Sequence, residues 1–86
     1  MRGASYRRRY WSVLWVQDNA LDGKVRQLVF DHEIANGPVL FDTRAKARKY
    51  RDSRYGYIRT REDLKREPHG WKLPRVVRVQ ATYVTV

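Results

Sequence analysis

Arg44, Arg48, Arg51 and Tyr55 stand at i, i+4, i+7 and i+11 in the run RAKARKYRDSRY. A helix of 3.6 residues per turn gathers these positions into one narrow stripe, three guanidiniums with a ring at its end. A guanidinium grips phosphate through a planar, bidentate fork and a ring stacks on a base, so this row suits contact with nucleic acid. A solvated charged face is the plainer reading of the same row. Like charges at these spacings destabilise a helix by about 0.2–0.5 kcal/mol per pair, and Asp52 is the only acid inside the helix to offset them. Arg59, Arg61, Lys65 and Arg66 follow closely and prolong the basic run.

The second stretch with chemical character is REPHGWKLP, residues 66–74. Two prolines bracket a histidine, a glycine and Trp71, and the stretch matches neither a helical nor a strand period. Most tryptophans are largely buried, which makes this a strap whose Trp71 closes one end of the core. The functional reading is a rigid aromatic anchor for a partner.

Signals for catalysis and metal binding are weak. Ser5, Ser12 and Ser53 lie in no nucleophile motif, and no Gly-rich loop is present to cradle a phosphate. Glu62, Asp63 and Glu67 cluster near His69, but ion pairs with Arg61 or Arg66 account for them more simply than acid–base chemistry does. His32 and His69 are the only imidazoles and there is no cysteine, so no ligand-like spacing emerges for zinc. The expectation is a protein without catalytic residues, metal or cofactor.

The elements that must carry these residues follow from pattern. YWSVLWVQD has apolar residues on both alternating faces, as an internal strand does. NALDG supplies turn chemistry, and KVRQLVFDHE completes an antiparallel hairpin. ANGP interrupts the chain before a short apolar VLF at 39–41. A helix is predicted from about Arg44 to Arg54, capped by Asp42 or Thr43, with Gly56 in the C-cap place and Ala47 and Tyr50 turned to the sheet. Thr60 and Asp63 nearly match a capping box for one further short turn that Pro68 ends. RVVRVQATYVTV alternates as a long strand. The fold class is therefore α+β, an antiparallel sheet of three to four strands with one main helix on one face. Residues 1–9, with four arginines and little to bury, read as a flexible basic arm, and 10–86 as a single α+β domain.

Bulk properties agree with one small domain. Eighty-six residues with 42% hydrophobic and 13% aromatic content suffice for one core and not for two. The formal charge is +10, and arginine outnumbers lysine fourteen to five. Such a field attracts polyanions, nucleic acid first. The absence of cysteine, of a long apolar run and of a secretory signal pattern points to a cytoplasmic protein with no membrane partner.

LFDTRAKAR followed by YGYIRTREDLKREPHGWKLPRVVRV, roughly residues 40–79, resembles small uncharacterised proteins encoded by phages and prophages. The resemblance implies no catalytic residues. It implies a host-cell setting in which such proteins act by stoichiometric binding to host machinery, including CRISPR and restriction systems. Acidic mimicry of DNA is a common device there, and a chain of this basicity does not fit it.

Together these readings predict a small basic binding protein that docks on nucleic acid or a host nucleoprotein complex. Arg44, Arg48, Arg51, Tyr55, Arg59, Arg61 and Trp71 are the candidate contact residues. The alternative is a protein-only inhibitor of a host defence system, of anti-CRISPR or anti-restriction type, or of a host regulatory factor. A homodimer formed through a sheet edge is a third reading.

Overall fold

A computed structural model describes residues 3–86. In chain order the elements are β1 (Ser5–Asn19), β2 (Gly23–Leu28), α1 (Arg44–Tyr55), a 3-10 turn (Gly56–Arg59), α2 (Glu62–Lys65) and β3 (Trp71–Val84). The three strands form one antiparallel sheet in the order β2-β1-β3, with α1 as its main helix. The fold is α+β.

β1 is the central strand because both of its faces carry apolar side chains over residues 11–16. Val13 and Val16 are almost fully buried. β2 pairs with β1 only from Asn19 back to Leu14, whereas β3 runs beside it from Gln17 to Ser5. The hairpin turn is held by Asn19, whose side-chain carbonyl accepts from the backbone N–H groups of Leu21 and Asp22 at 2.9 and 2.6 Å. Opposite Trp15 the β1–β3 register shifts, since Leu14 faces Arg75 and Val16 faces Lys72. Pro74 sits in that irregularity, where a residue without an N–H costs the ladder little.

The core lies between the sheet and α1. Val13, Val29 and Val39 form its buried centre, with Trp15, Phe41, Tyr50 and Tyr55 packed around them. Residues 38–41 reach it by two isolated bridges, Phe30 with Pro38 and Trp11 with Phe41. Ala47 is the buried residue of α1, and Tyr50 stacks at 5.3 Å on Phe41, as the helical period predicts. Thr43 is the N-cap, its hydroxyl accepting from the Lys46 N–H at 3.2 Å.

Several local expectations are corrected. Gly56 is the C-cap of α1 as expected, but it is right-handed, at φ −58°, and the chain passes directly into the 3-10 turn. The Thr60 hydroxyl bonds back to the Tyr57 carbonyl and caps nothing, and α2 begins after Arg61 without a side-chain cap. The irregular strap ends at Gly70, because Trp71 already opens β3. The strap is fastened to the β1–β2 turn. Glu67 accepts from the Ala20 N–H, and Asn19 donates to the His69 carbonyl at 3.1 Å. Gly70 has φ +61°, and a Cβ there would collide with the Asp18 carbonyl, so only glycine fits.

The expected flexible arm is the largest correction. Residues 5–9 belong to β1 and pair in register with 80–84, from Ser5 opposite Val84 to Arg9 opposite Gln80. The segment VQATYV offers an alternating β-branched partner, and the ladder satisfies backbone groups that a free arm leaves to water. Ala4 is tied to Thr85 by hydrogen bonds in both directions, and Met1 and Arg2 lie outside the described residues. Beyond the Trp11–Phe41 bridge, β1 and β3 continue as a two-stranded ribbon of about 20 Å, counting six residues at a strand's rise. It accounts for an elongated molecule of 55 × 28 × 21 Å.

Candidate nucleic-acid interface

Pairing in space separates the nineteen basic side chains more sharply than their order along the chain. In the helical half Arg51, Arg54, Arg59 and Arg61 each pair with a carboxylate. Arg51 and Arg59 share Asp52, at 2.8 and 2.9 Å. Arg61 grips Asp63 through two nitrogens at 2.9 and 2.7 Å, and Arg54 reaches both Asp31 and Glu33. The bonds from Arg59 and then Arg51 hold the Asp52 carboxyl below the usual aspartate range. Arg61 in the same way holds Asp63 at about 2.

The predicted stripe on α1 is therefore not an open phosphate track. Arg51 is only 18% exposed; its guanidinium donates to the Pro74 carbonyl on β3 at 3.3 Å. Tyr55 turns inward and meets Trp15 at 5.8 Å between ring centres. Arg44 leans over the Trp11 ring at 5.6 Å. The helix is rolled so that the later part of this row, Arg51 and Tyr55, looks toward the sheet, while Arg44 and Arg48 are exposed and make no ion pair among the described residues. Trp71 is half-buried, edge-on to Trp15 at 5.3 Å and beside His69 at 5.6 Å. It extends one aromatic row, Phe41–Tyr50–Tyr55–Trp15–Trp71. Tyr50 donates to Asp31 at 2.8 Å, and burial together with that bond pushes its hydroxyl pKa well up.

The ribbon is different. No carboxylate occurs before Asp18 or after Glu67, so both of its strands are free of acid. Side chains alternate across a strand, which puts Arg7, Arg9 and Trp11 on one face. Cross-strand pairing adds Arg78, opposite Trp11. The Arg78 guanidinium carbon lies 4.9 Å from the centre of the Trp11 ring, on which Arg44 also rests. A guanidinium stacked on a ring keeps its in-plane donors free for a phosphate. None of Arg7, Arg9, Arg44 and Arg78 makes an ion pair among the described residues.

The opposite face of the ribbon holds Tyr6, Arg8 and Tyr10 with their partners Tyr83, Ala81 and Val79. The Tyr10 and Tyr83 hydroxyls are 3.3 Å apart, and Arg8 lies over the Tyr10 ring at 5.0 Å. The hydrogen bond with Tyr10 raises the Tyr83 pKa.

Sequence reasoning missed Arg78, Trp11 and the tyrosines because their proximity is made by pairing between the two ends of the chain. The available signal was the acid-free ends. Among the described residues no group of three or more His, Asp or Glu side chains comes together as a metal site would, and no helix is long and apolar enough to cross a membrane. No family model, curated protein or solved structure matches this chain.

Proposed function

We propose that the protein binds nucleic acid, alone or within a host nucleoprotein complex, through the basic face of the β1–β3 ribbon. The observation that supports this is that Arg44 and Arg78 lie on the Trp11 ring and Arg7 and Arg9 continue the same face along β1, on two ribbon strands without acids, while carboxylates elsewhere pair with the arginines and lysines around them. Held close together in the free protein, four like charges repel one another, and a row of phosphates relieves that repulsion. The ribbon is also of a shape that nucleic-acid grooves admit. Arg48 stands near the start of α1 and extends the same field, while Arg51, Arg59, Arg61, Tyr55 and Trp71 serve the fold in this reading.

The test is salt-dependent binding of a short oligonucleotide. Each neutralised phosphate contact contributes about 0.9 to the slope of log K against log salt on duplex DNA and about 0.7 on a single strand. Replacing Arg7, Arg9 and Arg78 together by Gln should weaken binding at low salt and flatten the slope by roughly 2–3 units. Wild-type protein that binds neither DNA nor RNA at low salt, or a triple variant with an unchanged slope, rejects the reading.

A second reading, stoichiometric inhibition of a host defence protein, draws on Phe30. It is 53% exposed at an open cavity of about 270 Å³ lined also by Trp15, Gln27, Leu28, Val29 and Tyr55. Tight co-purification with one host protein after nuclease treatment, lost on Phe30→Ala, would favour it.

A further inference from the structure

We propose that the tyrosine face of the ribbon is a stacking platform for unpaired bases, so that the preferred nucleic acid is single-stranded. The inference rests on the reading of the ribbon as a nucleic-acid surface and names the form of nucleic acid it takes.

Tyr6 and Tyr83 are directly opposite in the ladder and are 59% and 51% exposed. Directly opposed Cβ atoms are about 4.5–5.5 Å apart, so the two rings leave the same face of the ribbon side by side. Tyr10 joins them through its hydroxyl contact with Tyr83. Arg8 stands between Tyr6 and Tyr10 on the same strand, with its guanidinium over the Tyr10 ring. Its cross-strand partner is Ala81, a side chain too small to fill the space between the tyrosines. The platform is thus aromatic and cationic at its centre, and neither strand of the ribbon carries an acidic side chain there. Helix α1 lies on the other side of the sheet, where Arg44 meets Trp11.

A cluster of exposed tyrosines can gain from being covered by a partner, and the surroundings narrow the choice. A polyanion with exposed π-faces is complementary to both the rings and Arg8. A duplex hides its base faces in the stack and offers only edges, whereas a single strand presents the faces themselves. A strand laid along the ribbon can place bases on Tyr6 and Tyr83 while its phosphates reach round the narrow edge to Arg7 and Arg9, whose side chains alternate with the tyrosines along β1.

The experiment compares the wild type with Tyr6→Leu/Tyr83→Leu and Tyr6→Phe/Tyr83→Phe variants. Fluorescence anisotropy would be read on a labelled oligo-dT, on an abasic strand with the same number of phosphates, and on a duplex. Base–aromatic stacking supports an expected loss of roughly 10- to 100-fold on oligo-dT for the Leu pair. The salt slope should stay unchanged and the Phe pair should bind like wild type. The wild type should also bind the abasic strand as weakly as the Leu pair binds oligo-dT, an outcome that stands even if the Leu pair folds poorly. Equal wild-type affinity for oligo-dT and the abasic strand overturns the platform. So does a Leu pair that binds oligo-dT normally, or one whose only change is loss of a concentration-dependent dimer. In each of these cases weakening by the Arg7/Arg9/Arg78 variant would keep the basic face intact as the binding surface, whereas failure of every strand to bind the wild type ends both proposals.

Discussion

The guanidinium of Arg51 donates to the main-chain carbonyl of Pro74, 3.3 Å away across the gap between helix α1 and strand β3. The bond ties the last turns of the helix to the irregular point of the sheet, where Pro74 breaks the register with β1. It also removes Arg51 from the surface. A charge that looks available for phosphate along the chain is a structural donor in the fold.

Arg51→Gln should therefore weaken the fold and leave nucleic-acid binding alone. Hydrogen bonds to charged groups contribute about 1.5–3 kcal/mol, and the part-exposed pair with Asp52 adds little. A loss of about 2 kcal/mol in urea unfolding is expected, with an unchanged salt slope for oligonucleotide binding. A variant of normal stability that binds more weakly would return Arg51 to the interface.

Trp71→Ala should cost less than removal of a fully buried aromatic. Such truncations cost about 3–5 kcal/mol in a core, and Trp71 is half-buried, packed edge-on against Trp15. About 2–3 kcal/mol is expected from chemical denaturation, together with a shift in the fluorescence of Trp15. Unaltered stability would show Trp71 to be a free surface anchor.

Acid should unfold the protein through its ion pairs. Hydrogen bonds from Lys72 and then Arg26 lower the Asp18 pKa from 3.8 to about 2, and Asp63 is lowered similarly by Arg61. Because the unfolded chain takes up these protons first, the stabilisation is complete above about pH 4 and is lost as pH falls through the folded-state value. The thermal midpoint should fall between about pH 4 and pH 2. Asp18→Asn should lower the midpoint at neutral pH and make that acid limb shallower. An acid limb identical in Asp18→Asn would exclude the Asp18 pairs as its cause.

Local chemistry made much of the fold legible. Residues 44–55 carry an amphipathic period, Thr43 is a good cap, and residues 11–16 and 75–82 alternate in ways only strands satisfy; each signal is contained in a few neighbouring residues. The glycine of the strap was legible in the same way, as a turn marker, but not the backbone carbonyl it makes room for. The proposed binding surface was the part that sequence could not place. Arg44, Arg48 and Arg51 share one helical row, yet the roll of α1 on the sheet decides that Arg51 bonds Pro74 while Arg44 rests on Trp11. Arg7 and Arg9 look like part of an unstructured tail until residues 80 and 82, from the other end of the chain, pair with them. By itself the sequence determined that the chain is basic, that its ends lack acids, and that it forms α+β elements, because composition and period are local properties. Which arginines keep their charge unpaired was decided only by tertiary structure, because neutralisation depends on distance in space to nine carboxylates, none of which is carried by the strands of the ribbon.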